Sequence, residues 1–183
     1  MIAKNLTSKQ IKENVVYIND IKDICREAQE DPNNFGKQNY ALEDNQQALL
    51  YMLLKGDRFS NGVFTLLYDD DYLVAFAGAY ELNKIILMGL VRAYTRKKYR
   101  AKVLMGTYIL PEQIKYAKEL GYEKVWLTFN EYNLYLYNAF KRIGEKKSLI
   151  IGNKTPEIYN NMYFFSDEMY IQNTWQKVIE LQT

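Results

Sequence analysis

The chain has 183 residues, 25% of them charged and 48% apolar, with a formal net charge of +2; these values fit one ordinary globular domain and make nucleic acid an unlikely partner. A single cysteine, Cys25, excludes an intramolecular disulfide and a cysteine metal cluster, and the lack of histidine excludes the usual zinc sites, Ser-His-Asp triads and Cys-His pairs. No apolar run reaches the roughly 18 residues of a membrane span and Met1–Asn5 holds no signal-peptide core, so the expectation is a cytoplasmic, reduced protein with neither membrane nor metal partner.

In chain order, Asn19-Asp20 are expected to cap a helix running through Glu30, with Ile21, Ile24, Cys25 and Ala28 on one face. Turn chemistry from Asp31-Pro32 to Gly36 stops it. A second helix is expected from about Leu42 to Lys55, with Glu43 and Asp44 at its start and Leu49, Leu50, Leu53 and Leu54 as its apolar side. Val63–Tyr68 and Tyr72–Ala77 read as strands of a hairpin turned by Asp69-Asp70-Asp71. A third strand covers about Lys84 to Thr95, and a helical stretch then ends at Leu120-Gly121, where the glycine suits a C-cap. Within that stretch Pro111 predicts either a kink or a fresh helix start, with Glu112 in its first turn.

Lys124–Phe129 is the next expected strand, followed by a helix from Tyr132 to Ile143 that Gly144 closes. Further strands are expected near Ser148–Ile151 and Met162–Phe165, and a helix from Ser166 towards Leu181 carries Met169, Tyr170, Trp175 and Val178. With no repeat or linker in view, residues 1–183 read as a single domain, with 166–183 as a helical extension. A strand–helix–strand unit beside antiparallel strands implies a mixed sheet containing a parallel pair.

Two clusters of charge carry alternative readings. Arg96-Lys97-Lys98-Tyr99-Arg100-Ala101-Lys102, between a strand and a helix, is either a solvated basic turn or an anion site, with base stacking on Tyr94 and Tyr99 a third option. Asp69–Asp71 is a solvated turn or, remotely, a cation site. Cys25 reads as a small core residue, because no histidine is at hand to lower its pKa.

The element order and two stretches resemble the GNAT family of acetyl-CoA-dependent acyltransferases. Tyr99-Arg100-Ala101-Lys102-Val103-Leu104 stands where that family has a Tyr-Arg-Gly-Lys-Gly-Ile-Gly-like turn. Tyr116-Ala117-Lys118-Glu119-Leu120-Gly121-Tyr122-Glu123-Lys124-Val125-Trp126-Leu127, continuing into Asn133 and Ala139-Phe140-Lys141-Arg142-Ile143-Gly144, is similar to its helix end, next strand and following helix. The likeness is strongest over about residues 84–144. It implies an α/β (α+β) fold: a GNAT-like mixed, mostly antiparallel central sheet with a splayed parallel strand pair, flanked by helices.

The resemblance also implies an activity, transfer of an acetyl group from acetyl-CoA to a primary amine by direct attack, with acetyl-CoA as co-substrate and no metal. It assigns the CoA pyrophosphate to Arg100, Ala101 and Lys102 and to the backbone of Val103, Leu104, Met105 and Gly106. The thioester would face the backbone of Tyr94 and Thr95, Asn133 would line the slot, and Tyr137 would serve as general acid. The acceptor, a small-molecule or protein amine, would be chosen by the first two helices and the Asp31–Tyr40 loop. A dimer through the terminal strands suits this reading and the alternative that follows. An alternative comes from the departures: Val103 and Met105 occupy glycine positions, Phe140 replaces the family's tyrosine, and the strand from Ile85 to Thr95 holds no carboxylate. They describe a GNAT-like domain without catalysis, acting as a binding or structural component of an assembly.

Overall fold

Thr7 opens the first helix by a reciprocal arrangement that the sequence reading passed over. In this computed structural model, which describes residues 1–32, 61–130, 145–151 and 174–183, the Thr7 hydroxyl accepts from Gln10 N–H while the Gln10 side chain accepts from Thr7 N–H at 2.8 Å, a capping box. Strand β1 (Ile2–Leu6) precedes it, α1 spans Ser8–Lys12, and α2 spans Val15–Glu30. Helix α2 therefore starts four residues before the expected Asn19, because the Asn14 side chain accepts from Val16 N–H at 2.9 Å and caps it there. The expected face is correct: Ile21, Ile24, Cys25 and Ala28 are all fully buried.

The described residues fall into two compact units. The first comprises Met1–Glu81 and Gly89–Tyr116. In it β2 (Val63–Asp69) pairs antiparallel with β1, matching Ile2 to Tyr68 and Leu6 to Phe64, and with β3 (Tyr72–Asn83), matching Val63 to Ala79. The Asp-rich turn between β2 and β3 is as expected, with Asp70 at a φ of 53°, a left-handed conformation that Asp tolerates. Most residues of β2 and β3 are buried on both faces, which accounts for their nearly unbroken apolar runs.

The second unit comprises Leu82–Met88 and Ala117–Thr183. It holds the start of β4 (Ile86–Thr95), then β5 (Lys124–Asn130), β6 (Glu145–Ile151) and β7 (Thr174–Gln182). Ile85 C=O accepts from Glu123 N–H at 3.0 Å and Lys124 N–H at 3.1 Å, bringing the head of β5 to the entry of β4. Strand β7 lies between β5 and β6 and is antiparallel to both. The sheet order is β1-β2-β3-β4-β5-β7-β6, with β4 and β5 parallel and the rest mostly antiparallel, which is the mixed sheet that was expected.

Over residues 174–181, strand β7 corrects the helix expected from Ser166 towards Leu181, the rest of which lies outside the described residues. Ile179 and Leu181 alternate into the core, opposite Leu127 and Val125 of β5. Between them Glu180 is buried as well, because Trp126 Nε1–H donates to its carboxylate at 2.7 Å and Lys124 Nζ lies 3.1 Å away. Both faces of the strand are thus occupied, which hides its period of two.

Helix α3 (Leu110–Glu119) joins β4 to β5 by way of a 3-10 turn at Lys97–Lys102 and a π-turn at Met105–Ile109. Pro111 follows the π-turn, in which Leu110 N–H donates to Met105 C=O, inside a helical stretch that already begins at Leu104, so the structure shows an irregular helix before the proline and not a fresh start at it. Gly121 ends the helix at a φ of 81°, with Tyr122 N–H donating to Ala117 C=O and Gly121 N–H to Lys118 C=O, a Schellman cap. The helices expected over Leu42–Lys55 and Tyr132–Ile143, and the strand near Met162–Phe165, lie outside the described residues.

Candidate anion-binding turn

The chain leaves β4 through Tyr94, Thr95 and Arg96, and from there its basic residues divide into two groups. Three of them meet an acidic stripe on α2. Asp23, Glu27 and Asp31 are spaced by four, so they line one side of the helix and its C-terminal cap. Arg96, almost fully buried, donates from its guanidinium to Asp23 at 2.6 Å and Glu27 at 3.0 Å, and from Nε to Leu73 C=O at 2.7 Å. Its plane also lies over the Tyr72 ring at 4.5 Å. Burial pulls the Arg96 pKa down, but the hydrogen bonds to Asp23 and Glu27 outweigh it, so the group stays charged.

Arg100 is held in a similar way. Its guanidinium pairs with the fully buried Asp31, its Nε donates to Thr95 C=O at 3.2 Å, and it lies 5.2 Å from the centre of the Tyr94 ring. Lys97 Nζ is 3.8 Å from Asp31, while Lys97 N–H donates to Glu27 at 2.8 Å. The Tyr94 hydroxyl reaches both Glu27 and Asp31. Burial first, then the charge of Glu27, raises the Tyr94 pKa far above the usual phenol range, so Tyr94 remains a protonated donor in this cluster.

Lys98 and Lys102 differ. Both are exposed, flanking the Tyr99 ring at 5.9 and 5.1 Å, and among the described residues neither has a carboxylate partner. Tyr99 and Leu104 are meanwhile buried in a cluster with Leu67, Val74, Ala75, Ala77 and Ile109, which roots the turn in the core.

Val103 then takes a left-handed conformation with a φ of 50°, although a β-branched residue strongly disfavours it. The backbone here follows the path that a glycine would take, and the Val103 side chain, 57% exposed, points to solvent. Met105, the other side chain at an expected glycine position, packs against the core cluster. Thr107 N–H donates back to Val103 C=O, so Leu104, Met105 and Gly106 form the first turn of the helical stretch, where N–H groups lack intrahelical acceptors. Helix-start donors, a partial positive dipole and the exposed Lys102 beside them make this turn a candidate anion site.

The expected residues from Tyr94 to Gly106 are thus gathered in one segment, although only backbone is described for Ala101. Asn133 and Tyr137 lie outside the described residues. The sequence reading passed over Asp23 and Glu27 and gave Asp31 only as a turn residue and the start of the acceptor loop, yet their four-residue spacing opposite a basic cluster is a usable signal. Gln113, on α3, was missed as well. It is fully buried, accepting from Leu90 N–H at 2.9 Å, and nothing in its local sequence marks it.

No protein-family model matches the chain, and no curated protein matches it. Solved structures do match. An aminoglycoside 6'-acetyltransferase type Ii aligns with a TM-score of 0.64 and 14% identity, over 100% of this chain and 97% of its own. An acetyltransferase of the GNAT family from Streptococcus pneumoniae gives 0.60 and 14%, over 100% and 99%. An aminoglycoside 6'-N-acetyltransferase complexed with coenzyme A gives 0.55 and 14%, over 100% and 97%. The chain has the fold of these acetyltransferases.

Proposed function

We propose that this chain, built on the GNAT fold, is an N-acetyltransferase that moves an acetyl group from acetyl-CoA to a primary amine. The observation that carries the reading is the turn at Val103. A strained left-handed valine keeps the glycine-like path with its side chain exposed, while Met105 packs partly buried against the core cluster, an arrangement that supports a helix start able to receive an anion. Strain of this kind costs about 1–3 kcal/mol and collects where function requires it. The residues present fit a pyrophosphate: backbone N–H groups of Leu104, Met105 and Gly106, with Lys102 as the exposed cation.

Bound acetyl-CoA supplies a thioester already activated towards an amine, so the chain needs no nucleophile of its own. Its residues hold and orient. Arg100, engaged with Asp31 and Thr95, fixes the course of the 3-10 turn that leads to the phosphate site. The backbone of Tyr94 and Thr95 would face the acyl group, Asn133 would line the slot, and Tyr137 would return a proton to the leaving thiolate. Two of the similar structures act on aminoglycosides by their names, which favours a small, amine-rich acceptor here. The single cysteine is buried, and a reducing cytoplasm is the setting proposed for it.

The second reading, a non-catalytic binding domain, draws on one observation: Arg96, Lys97 and Arg100 are all engaged by α2 carboxylates. Release of free thiol from acetyl-CoA, followed with a panel of polyamines, aminoglycosides and lysine peptides, separates the two. Amine-dependent thiol release is the expected result. Saturable acetyl-CoA binding without turnover on any amine would favour the non-catalytic domain.

A further inference from the structure

Strand β4 is irregular just after Gly89, at residues that carry side chains. Leu90 and Arg92 have φ angles of 52° and 53°, so two side-chain-bearing residues, one apart, sit in the left-handed region inside a strand. Such a kink is costly, and it re-aims the backbone of the strand that carries it. The strand that follows leads through Tyr94 and Thr95 into the anion-binding turn.

One side chain holds this kink. Gln113 reaches from α3, and its amide oxygen accepts from Leu90 N–H at 2.9 Å. Its amide nitrogen faces Thr65 Oγ1 at 3.2 Å, Gly78 C=O at 3.2 Å and Ala77 C=O at 3.3 Å. Thr65 in turn donates to Asn5 Oδ1 at 2.7 Å, and Asn5 donates to Glu112 C=O at 3.2 Å, beside Gln113. The chain of contacts runs from α3 through β4, β3, β2 and β1 and back to α3. Gln113 and Thr65 are fully buried, so a broken link would leave polar groups without water. Close approach supports the kink from the other side: a Cβ on Gly78 would stand 3.3 Å from Val91 C=O.

We propose that Gln113 is a positioning residue for acyl transfer: its amide oxygen, fixed on Leu90 N–H, sets the kink that turns the β4 backbone towards the thioester carbonyl. This role rests on the acetyltransferase reading. Gln113 touches no substrate; it acts through the backbone of β4.

The test is the infrared carbonyl band of isotope-labelled acetyl-CoA bound to the full chain, which reports how strongly backbone donors polarise the thioester. In the wild-type chain binding lowers the band frequency. With Gln113→Met, of similar length and without the acceptor, about half or more of that shift is lost while affinity for CoA itself stays within about threefold. Gln113→Glu keeps an acceptor for Leu90 N–H in either protonation state and retains the shift. An unchanged shift in Gln113→Met overturns the proposal, and so does an equal loss of CoA and acetyl-CoA binding, which marks a merely structural role. Hydrogen exchange at Leu90 in the wild-type chain needs no variant, and an unprotected amide there also overturns it. A wild-type chain that binds neither CoA nor acetyl-CoA sinks the acetyltransferase reading itself, whereas slow exchange at Leu90 would still leave the contact with Gln113 standing.

Discussion

The two halves of the segment after β4 use similar residues for opposite ends. Arg96, Lys97 and Arg100 face α2, where Asp23, Glu27 and Asp31 engage them and Tyr72 and Tyr94 pack over the two arginines, while Lys98 between them is exposed beside Tyr99. From Lys102 to Gly106 the charge is exposed, the backbone is strained at Val103, and a helix begins whose first N–H groups have no intrahelical acceptor. The contrast shows that a basic cluster is not one functional object. Its first half is a scaffold, and the scaffold allows the second half to hold a geometry it would not hold alone.

Breaking the scaffold has the largest expected effect. Arg96→Ala leaves Asp23 and Glu27 without their buried partner and lowers stability by about 3 kcal/mol, read as the free energy of urea unfolding. Because Arg96 lies on the clamped side, acetyl-CoA affinity in the fraction that remains folded changes much less. A loss of affinity without loss of stability would reverse the two roles.

Charge reversal on the open side does the converse. Lys102→Glu changes stability by no more than about 0.5 kcal/mol, as for an exposed residue without a carboxylate partner among the described residues, while CoA affinity falls about tenfold. A thermal melt and a titration on the same sample check both halves of the statement.

Val103→Gly sharpens the comparison further. Relief of a left-handed valine outweighs the added entropy of the unfolded chain, and the variant is more stable by about 0.5–1 kcal/mol. A less stable variant would mean that the valine side chain contributes packing that its exposure does not show. Smallest at neutral pH is the effect of Cys25, buried on α2 behind the clamp. Burial pushes its thiol up to about 12, with Arg92 acting weakly against the shift. Its folded pKa lies above the unfolded value of about 8.5, so its contribution is intact below that pH and is lost as pH rises towards 12. Native protein at pH 8 should therefore resist thiol reagents that label the unfolded chain at once.

Local pattern made part of this legible. The apolar spacing of Ile21, Ile24, Cys25 and Ala28, the Asp-rich turn before Tyr72 and the Gly121 cap are each written within a few residues, and the structure has them where they were expected. Strand β7 was read as a helix because its hydrogen-bond partners come from β5 and β6, far away in the chain, and because Glu180 is buried by a tryptophan and a lysine that a local window does not see. The basic turn was visible as composition. Its division into a clamped and an open half was not, since that depends on α2 lying opposite, some seventy residues earlier. Gln113 is the extreme case: an ordinary glutamine in an amphipathic helix, made important only by the kink it meets.

Calorimetric titration of acetyl-CoA into the wild-type chain and into Lys102→Glu bears most directly on the central claim, that the turn from Lys102 to Gly106 receives the pyrophosphate. Saturable micromolar binding by the wild type, weakened about tenfold in the variant, is the predicted result. A folded wild-type chain that gives no saturable heat at millimolar acetyl-CoA, or a variant that binds as tightly as the wild type, would contradict it.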